Sequence, residues 1–339
     1  MERKVLLIYT GGTIGMVKKE DGSFGPFNFG RLVENVPELD KLPVHIDHIS
    51  YDEPIDSSNM SPQRWIELAT MLFEKREQYD GFVVLHGSDT MAYTASAVSF
   101  LLKDFNKPIV FTGSQLPIGI IRTDAKENLL TSIEIASSYE GDEPIVPETA
   151  LYFEYRLYRG NRTIKVNAEL FKAFLSPNYP KLAEAGVHLK FNHRFIADMR
   201  PSQPELFNEM CTDVAILKLY PGISQTVVEA VLNTPNLKGL IMETFGTGNA
   251  STDKWFIDLL DAKIKQGVFI VNTTQCVSGS VDQGRYETST AFNDIGIIPA
   301  DDMTTEAALT KLMFILANVE DKEEQIQVFQ ANLRGEKQG

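Results

Sequence analysis

Three short apolar runs, Val5–Ile8, Gly81–Leu85 and Pro108–Phe111, each break off at glycine flanked by hydroxyls. The three ends read Thr10-Gly11-Gly12-Thr13, His86-Gly87-Ser88-Asp89-Thr90 and Thr112-Gly113-Ser114-Gln115. Apolar runs this short, bounded by turn signals, suit strands buried on both faces. The helical patterns between them make successive βαβ units with a parallel sheet. In an open sheet of that kind the carboxyl ends of the strands are where ligands sit. Three hydroxyl-bearing glycine turns at one such end are hard to dismiss as unrelated.

The first turn, Tyr9 to Met16, carries the candidate nucleophile. Two adjacent glycines permit a tight exit with the backbone exposed, and Thr13 is presented at the strand's end. A phosphate-cradling turn is the competing reading. The G-x-G-x-x-G pattern would need glycine where Thr10 stands, no apolar strand ending in an acid comes at the usual distance, and the phosphate loop G-x-x-x-x-G-K-[ST] is absent. Hydroxyl chemistry therefore ranks above nucleotide binding.

Charge narrows the partners. The 339 residues hold 32 basic and 46 acidic side chains, a net charge of -14, which repels nucleic acid and anionic membrane and favours a small, roughly neutral substrate. The length is enough for two domains with separate cores. Cys211 and Cys276 lie far apart and form no C-x-x-C, so neither a disulfide framework nor a zinc site is expected. The first apolar run is cut at Gly11, too short for a secretory core, and no run approaches membrane-spanning length. A cytoplasmic soluble protein is the expectation. His45, His48, His86, His188 and His193 form no H-E-x-x-H and are expected to be structural.

The polar segment Lys18 to Pro26 suits either a lid or an ordinary surface loop. A strand over Val44 to Ile49 leads to Asp56-Ser57-Ser58, which could bind an amino acid's charged groups or simply act as capping residues, and Ser61-Pro62 starts a helix running to about Tyr79. Its inner face is expected at Trp65, Leu68, Ala69 and Leu72. Asp89 could by the same default cap the helix through Ala92, Ala95, Val98 and Leu102, or stand as a carboxylate beside the hydroxyls of its turn. A helix over about Asp124 to Ser138 and a strand at Ala150 to Phe153 complete this sheet. Beyond them the basic turn Arg156 to Lys165 is either a solvated face or an anion contact, and Lys165 is the one candidate amine for activating a hydroxyl. The pattern weakens near Pro201 and Pro204, so the domains are expected at residues 1–192 and 213–339 with a linker at 193–212. In the second domain the strands are Val214 to Leu219, Leu240 to Phe245 and Val268 to Asn272. Its helices lie near Ser224 to Leu232, Asp253 to Lys265 and Thr304 to Ala317.

Thr10-Gly11-Gly12-Thr13-Ile14-Gly15, His86-Gly87-Ser88-Asp89-Thr90-Met91-Ala92, Arg159-Gly160-Asn161-Arg162-Thr163-Ile164-Lys165 and the closing Leu333-Arg334-Gly335-Glu336 together resemble the bacterial-type L-asparaginases, specifically the cytoplasmic type I group. The resemblance covers nearly the whole chain. It implies a larger N-terminal α/β domain with a mostly parallel, flavodoxin-like sheet and a smaller C-terminal parallel-sheet domain. It implies hydrolysis of L-asparagine to L-aspartate and ammonia with no cofactor or metal, through an acyl-enzyme ester. Thr13 matches the family's nucleophile; Ser88, Asp89 and Lys165 match a second catalytic constellation; Asp56 and Ser57, with Ser88 and Asp89, match substrate-binding positions. Sites in the family lie between protomers of a homo-oligomer, usually a tetramer built as a dimer of dimers.

Three departures from the family pattern stand out. Ser88 replaces a second threonine, keeping the hydroxyl and losing the methyl that restricts its rotamer. Many members carry a flap tyrosine where this chain reads Gly22-Ser23-Phe24-Gly25, and Tyr286 resembles a tyrosine that can substitute from the neighbouring protomer. Some type I enzymes are activated by asparagine near positions matching Ile164, Glu243 and Cys276. Ile164 lacks a hydroxyl and Glu243 puts an anion where an arginine could hold the effector's carboxylate, so that activation is expected to be absent or differently built. Two alternatives remain: the amidase subunit of a tRNA-dependent amidotransferase, disfavoured by the acidic balance, and a catalytically silent amino-acid-binding protein on the same scaffold.

Overall fold

The computed structural model describes residues 2–18, 24–25, 36–284 and 287–338, and the chain divides into two compact units, Met1–Asn208 and Glu209–Gly339.

In the first unit, strands β1 (Arg3–Gly11), β2 (Val44–Ile55), β3 (Gly81–Leu85), β4 (Ile109–Thr112) and β5 (Thr149–Phe153) run parallel in the order β2-β1-β3-β4-β5. This is the doubly wound order expected of a flavodoxin-like sheet, and its topological switch point falls between β1 and β3. All five residues of β3 and of β5 are buried, which is why these strands read as unbroken apolar runs. β2 is longer than expected because it lies at the sheet's edge, where exposed and half-buried residues suffice.

Helix α1 (Pro62–Lys75) buries Trp65, Leu68, Ala69 and Leu72 as expected. It stops short of Tyr79 because Lys107 Nζ donates to the carbonyls of Arg76 and Tyr79. Helices α2 (Met91–Leu101) and α3 (Ala125–Ala136) are the crossovers from β3 to β4 and from β4 to β5. The antiparallel strands β6 (Arg156–Arg159), β7 (Ala183–Glu184) and β8 (Lys190–Phe191) extend the sheet past β5, making it mixed. The basic turn that sequence alone leaves open therefore contains a sheet strand, with the Arg159 guanidinium buried against Glu148 at 2.5 Å.

Much of the segment expected as a linker is built into the first unit. Glu205–Leu206 pairs with Leu102–Lys103, and Asn106 and Arg200 exchange two hydrogen bonds. The polar segment after β1 is described only where Val17–Lys18 pairs with Phe24–Gly25; the rest of the lid or loop expected there lies outside the described residues.

The second unit holds an all-parallel sheet of β9 (Val214–Lys218), β10 (Gly239–Thr244), β11 (Phe269–Thr274) and β12 (Ile298–Pro299), in that order. Around it lie α4 (Gln225–Leu232), α5 (Lys254–Lys265), α6 (Glu287–Ile295), α7 (Thr305–Asn318) and α8 (Lys322–Gln330). Ser224 caps α4 and Thr304 caps α7 through their side chains. The closing Leu333 to Glu336 has a local structural role: Glu336 accepts from the backbone N–H groups of Leu333 and Arg334 and, at 2.5 Å, from the fully buried ammonium of Lys311 on α7.

Candidate active site

The three glycine turns meet. A Cβ on Gly12 would stand 2.5 Å from the Gly87 nitrogen, one on Gly87 would stand 2.5 Å from Ser57 Oγ, and one on Gly113 would stand 2.4 Å from the His86 carbonyl oxygen. Backbones this close tolerate no side chain, and Gly12 in addition has φ 91 and ψ 170, a region only glycine occupies freely. The next residues, Thr13 and Ser88, are thus anchored by backbones in direct contact at the switch point of the sheet. Thr13 opens a short 3-10 turn, Thr13–Gly15, and is itself half-buried; among the described residues nothing bonds its hydroxyl.

Cross-bonds hold the turns in place. Thr10 Oγ1 donates to the Leu85 carbonyl, Tyr9 Oη to the Gly12 carbonyl, and Thr90 Oγ1 to the Ser57 carbonyl at 2.7 Å. His86 is fully buried, and burial pushes its imidazole down to about 4, so it is neutral at ordinary pH. Nδ1 lies 2.7 Å from the Gly87 carbonyl and must carry the proton; Nε2 then accepts from Thr94 Oγ1, which itself accepts from Trp65 Nε1. This chain of bonds from α1 through α2 fixes the carbonyl just before Ser88, and the histidine is structural as expected.

Lys165 arrives from outside the main sheet. Ile164–Lys165 pairs with Phe174–Leu175 in a two-residue ladder, and from there Lys165 Nζ donates to Ser88 Oγ at 2.8 Å and to Asp89 Oδ1 at 2.7 Å. Asp89 therefore does not cap α2: Thr90 is the N-cap residue and makes no side-chain cap bond. The local default lost to an ion pair with a residue 76 positions away.

Asp56 behaves differently. Its carboxylate accepts from Ser58 N and Oγ, which holds it below the usual carboxylate range, and it caps the turn Ser57–Asn59 that buries Ser57 against Gly87. Asp124, missed in the sequence as anything but a helix start, accepts from the backbone N–H groups of Gln115 and Leu116 and so ties down the third turn.

The residues matched to an effector site fall in separate units. Ile164 adjoins Lys165 in the first. Glu243, on β10 of the second, accepts from Thr305 Oγ1 at 2.9 Å and pairs with Lys218 at 3.1 Å, and Cys276 is an exposed free thiol. Tyr286 lies outside the described residues. No group of three or more His, Cys, Asp or Glu among the described residues could hold a metal ion, and no helix among them is long and apolar enough to cross a membrane.

Known proteins share this architecture. Residues 4–197 match the family model described as Asparaginase, N-terminal, and residues 213–329 match the Glutaminase/Asparaginase C-terminal domain. The chain belongs to the asparaginase family. L-asparaginase 1 of Escherichia coli (strain K12) is 40% identical over 346 residues, covering 99% of this chain and 98% of that protein. The crystal structure of L-asparaginase I from Vibrio cholerae superimposes with a TM-score of 0.91 at 36% identity, covering 100% of both chains. A glutamyl-tRNA(Gln) amidotransferase component from Pyrococcus abyssi is 30% identical over 98% of this chain but only 76% of its own length. The asparaginase fold is thus the one observed, a larger mixed-sheet unit followed by a smaller parallel one.

Proposed function

We propose that this chain hydrolyses L-asparagine to L-aspartate and ammonia through an ester on Thr13. The observation that carries this reading is the cluster of Lys165, Ser88 and Asp89, held against the turn that presents Thr13. A threonine hydroxyl attacks an amide only if its proton is removed as it does so. Thr13 Oγ bonds to the side-chain amide carbon while its proton passes by way of Ser88 and Lys165, directly or through water, to the departing nitrogen, which leaves as ammonia. Water then attacks the ester, gives its proton to the same relay, and Thr13 recovers its hydroxyl hydrogen. Backbone N–H groups of the glycine turns receive the oxyanion. Asp89 takes the substrate's α-ammonium, Ser57 and neighbouring amides its α-carboxylate, and Asp56 acts by holding Ser57 in place.

The relatives named L-asparaginase support the substrate. The amidotransferase reading is supported by the relative from Pyrococcus abyssi and opposed by the net charge of -14. With both carboxylate oxygens of Glu243 engaged, we further propose that asparagine does not activate the enzyme through that position. We also read the protein as a cytoplasmic homo-oligomer, dimer or tetramer, which sedimentation analysis would check.

The test is ammonia release from L-asparagine and L-glutamine, on native protein and on Thr13→Ala. Saturating, hyperbolic release from asparagine that disappears in Thr13→Ala is expected. Near-native turnover by folded Thr13→Ala removes the ester assignment; no release from either amide moves the reading to a binding protein or a component awaiting its partner.

A further inference from the structure

Asp89 serves two cations in the proposed reaction, and the structure shows it already serving one. Among the described residues it is the only carboxylate within ion-pair reach of Lys165, and Lys165 is its only cation. The two come from separately fixed backbones. The ladder with Phe174 holds Lys165, and the Thr90 and His86 bonds hold the turn of Asp89. Exposure is uneven: the Lys165 side chain is 16% exposed and that of Asp89 66%, and no described residue bonds Asp89 Oδ2. A second cation can reach that oxygen from solvent. While paired, Lys165 donates to Ser88 and cannot take a proton from it.

We propose that the substrate's own α-ammonium discharges Lys165, so that Asp89 is the trigger of the relay as well as an anchor. This rests on the reading of the site as an asparagine amidohydrolase. The incoming ammonium docks on Oδ2 and sets a second positive charge beside Lys165, on a carboxylate that until then neutralised Lys165 alone. A like charge that close disfavours the charged form. Lys165 gives one proton to solvent water, turns a lone pair to Ser88 Oγ, and the relay can then accept the proton of Thr13. Substrates without the ammonium lose the trigger as well as a contact. The site thereby rejects simple amides at the chemical step.

The test compares L-asparagine with 3-carbamoylpropanoate, the same skeleton without its amine, by the acid limb of kcat against pH. The limb for 3-carbamoylpropanoate is expected at least about one pH unit higher, equal to about tenfold in kcat on that limb. The limb in kcat/KM, which reports the free enzyme, is expected to be common to both. Saturating methylammonium, supplying the missing cation, is expected to lower the kcat limb of 3-carbamoylpropanoate toward that of asparagine. In Asp89→Asn the two kcat limbs are expected to coincide. Superimposable limbs in the native enzyme, with the substrates differing in KM alone, overturn the proposal, as does a limb that methylammonium leaves unmoved. No turnover of asparagine itself overturns the functional reading beneath it.

Discussion

Replacing Gly12 by alanine tests whether the contact between glycine turns sets the catalytic geometry. The added Cβ would lie 2.5 Å from the Gly87 nitrogen, 2.6 Å from its Cα and 2.9 Å from the His86 carbonyl carbon. Ordinary contact begins near 3.4 Å, so the turns carrying Thr13 and Ser88 must separate by about 0.9 Å. A misplacement of about 1 Å between reacting groups costs on the order of a hundredfold in rate. Backbone strain at φ 91 adds a stability loss of about 1–3 kcal/mol. Gly141→Ala is the control: its φ is also positive, at 64, but nothing lies within 4 Å of the new Cβ. It is expected to lose about 1–2 kcal/mol and no activity. Steady-state kcat for asparagine hydrolysis, measured beside urea unfolding on both variants, separates strain from displacement. If folded Gly12→Ala kept kcat within about threefold of native, the turns would not be positioning Thr13 and Ser88, and the reasoning would fail.

Lys165→Met is expected to lower kcat by about a hundredfold or more with little change in unfolding midpoint, and Lys165→Arg is expected not to restore it, because guanidinium cannot give up its proton; stopped-time ammonia assays check both. Glu336→Gln would leave the fully buried Lys311 ammonium without its counter-charge, and is expected to cost the second unit about 3–5 kcal/mol in denaturant unfolding. His86 titrates near 6.5 when unfolded and near 4 when buried, so its contribution of about 3 kcal/mol is complete above pH 6.5 and is lost as pH falls to 4. Measuring unfolding free energy across that window in native protein and His86→Gln should show the slope only in the former. Glu306 has the opposite sense: burial, with Glu243 adding to it, raises its carboxyl to about 7, so the second unit should lose stability as pH rises from about 4.5 to 7. Glu306→Gln should flatten that trend in the same assay.

Elements that carry their own signals were legible in the sequence. β3 and the inner face of α1 arise from periodicity. The convergence of the glycine turns was legible too, since each closes a parallel strand of one sheet. Elements whose reason lies elsewhere in the chain were not. β6, β7 and β8 are short strands made by pairing, and α8, Lys-Glu-Glu-Gln-Ile-Gln-Val-Phe-Gln, fully buries only Phe329 and shows almost no apolar stripe. Local rules leave Asp89 open to capping, and only the resemblance sets it beside Lys165, because that partner comes from a ladder far along the chain. Asp124 was read as a helix start because nothing nearby announces the two amides it accepts from.

The separate ladder that delivers Lys165 divides the site into parts with different freedom to change in evolution. The floor of interlocked turns is a unit in which one altered glycine obliges its neighbours to move, so it must be inherited almost whole. Lys165 hangs on two residue pairs, Ile164 with Leu175 and Lys165 with Phe174, and shifts there alter only its own reach toward Ser88 and Asp89. A lineage can therefore shift Lys165 relative to Ser88 and Asp89, and with it the proposed proton relay, by small changes around 164–175, while the setting of Thr13 stays as it was. Changes of substrate preference within this architecture should accumulate along that ladder rather than at the glycines.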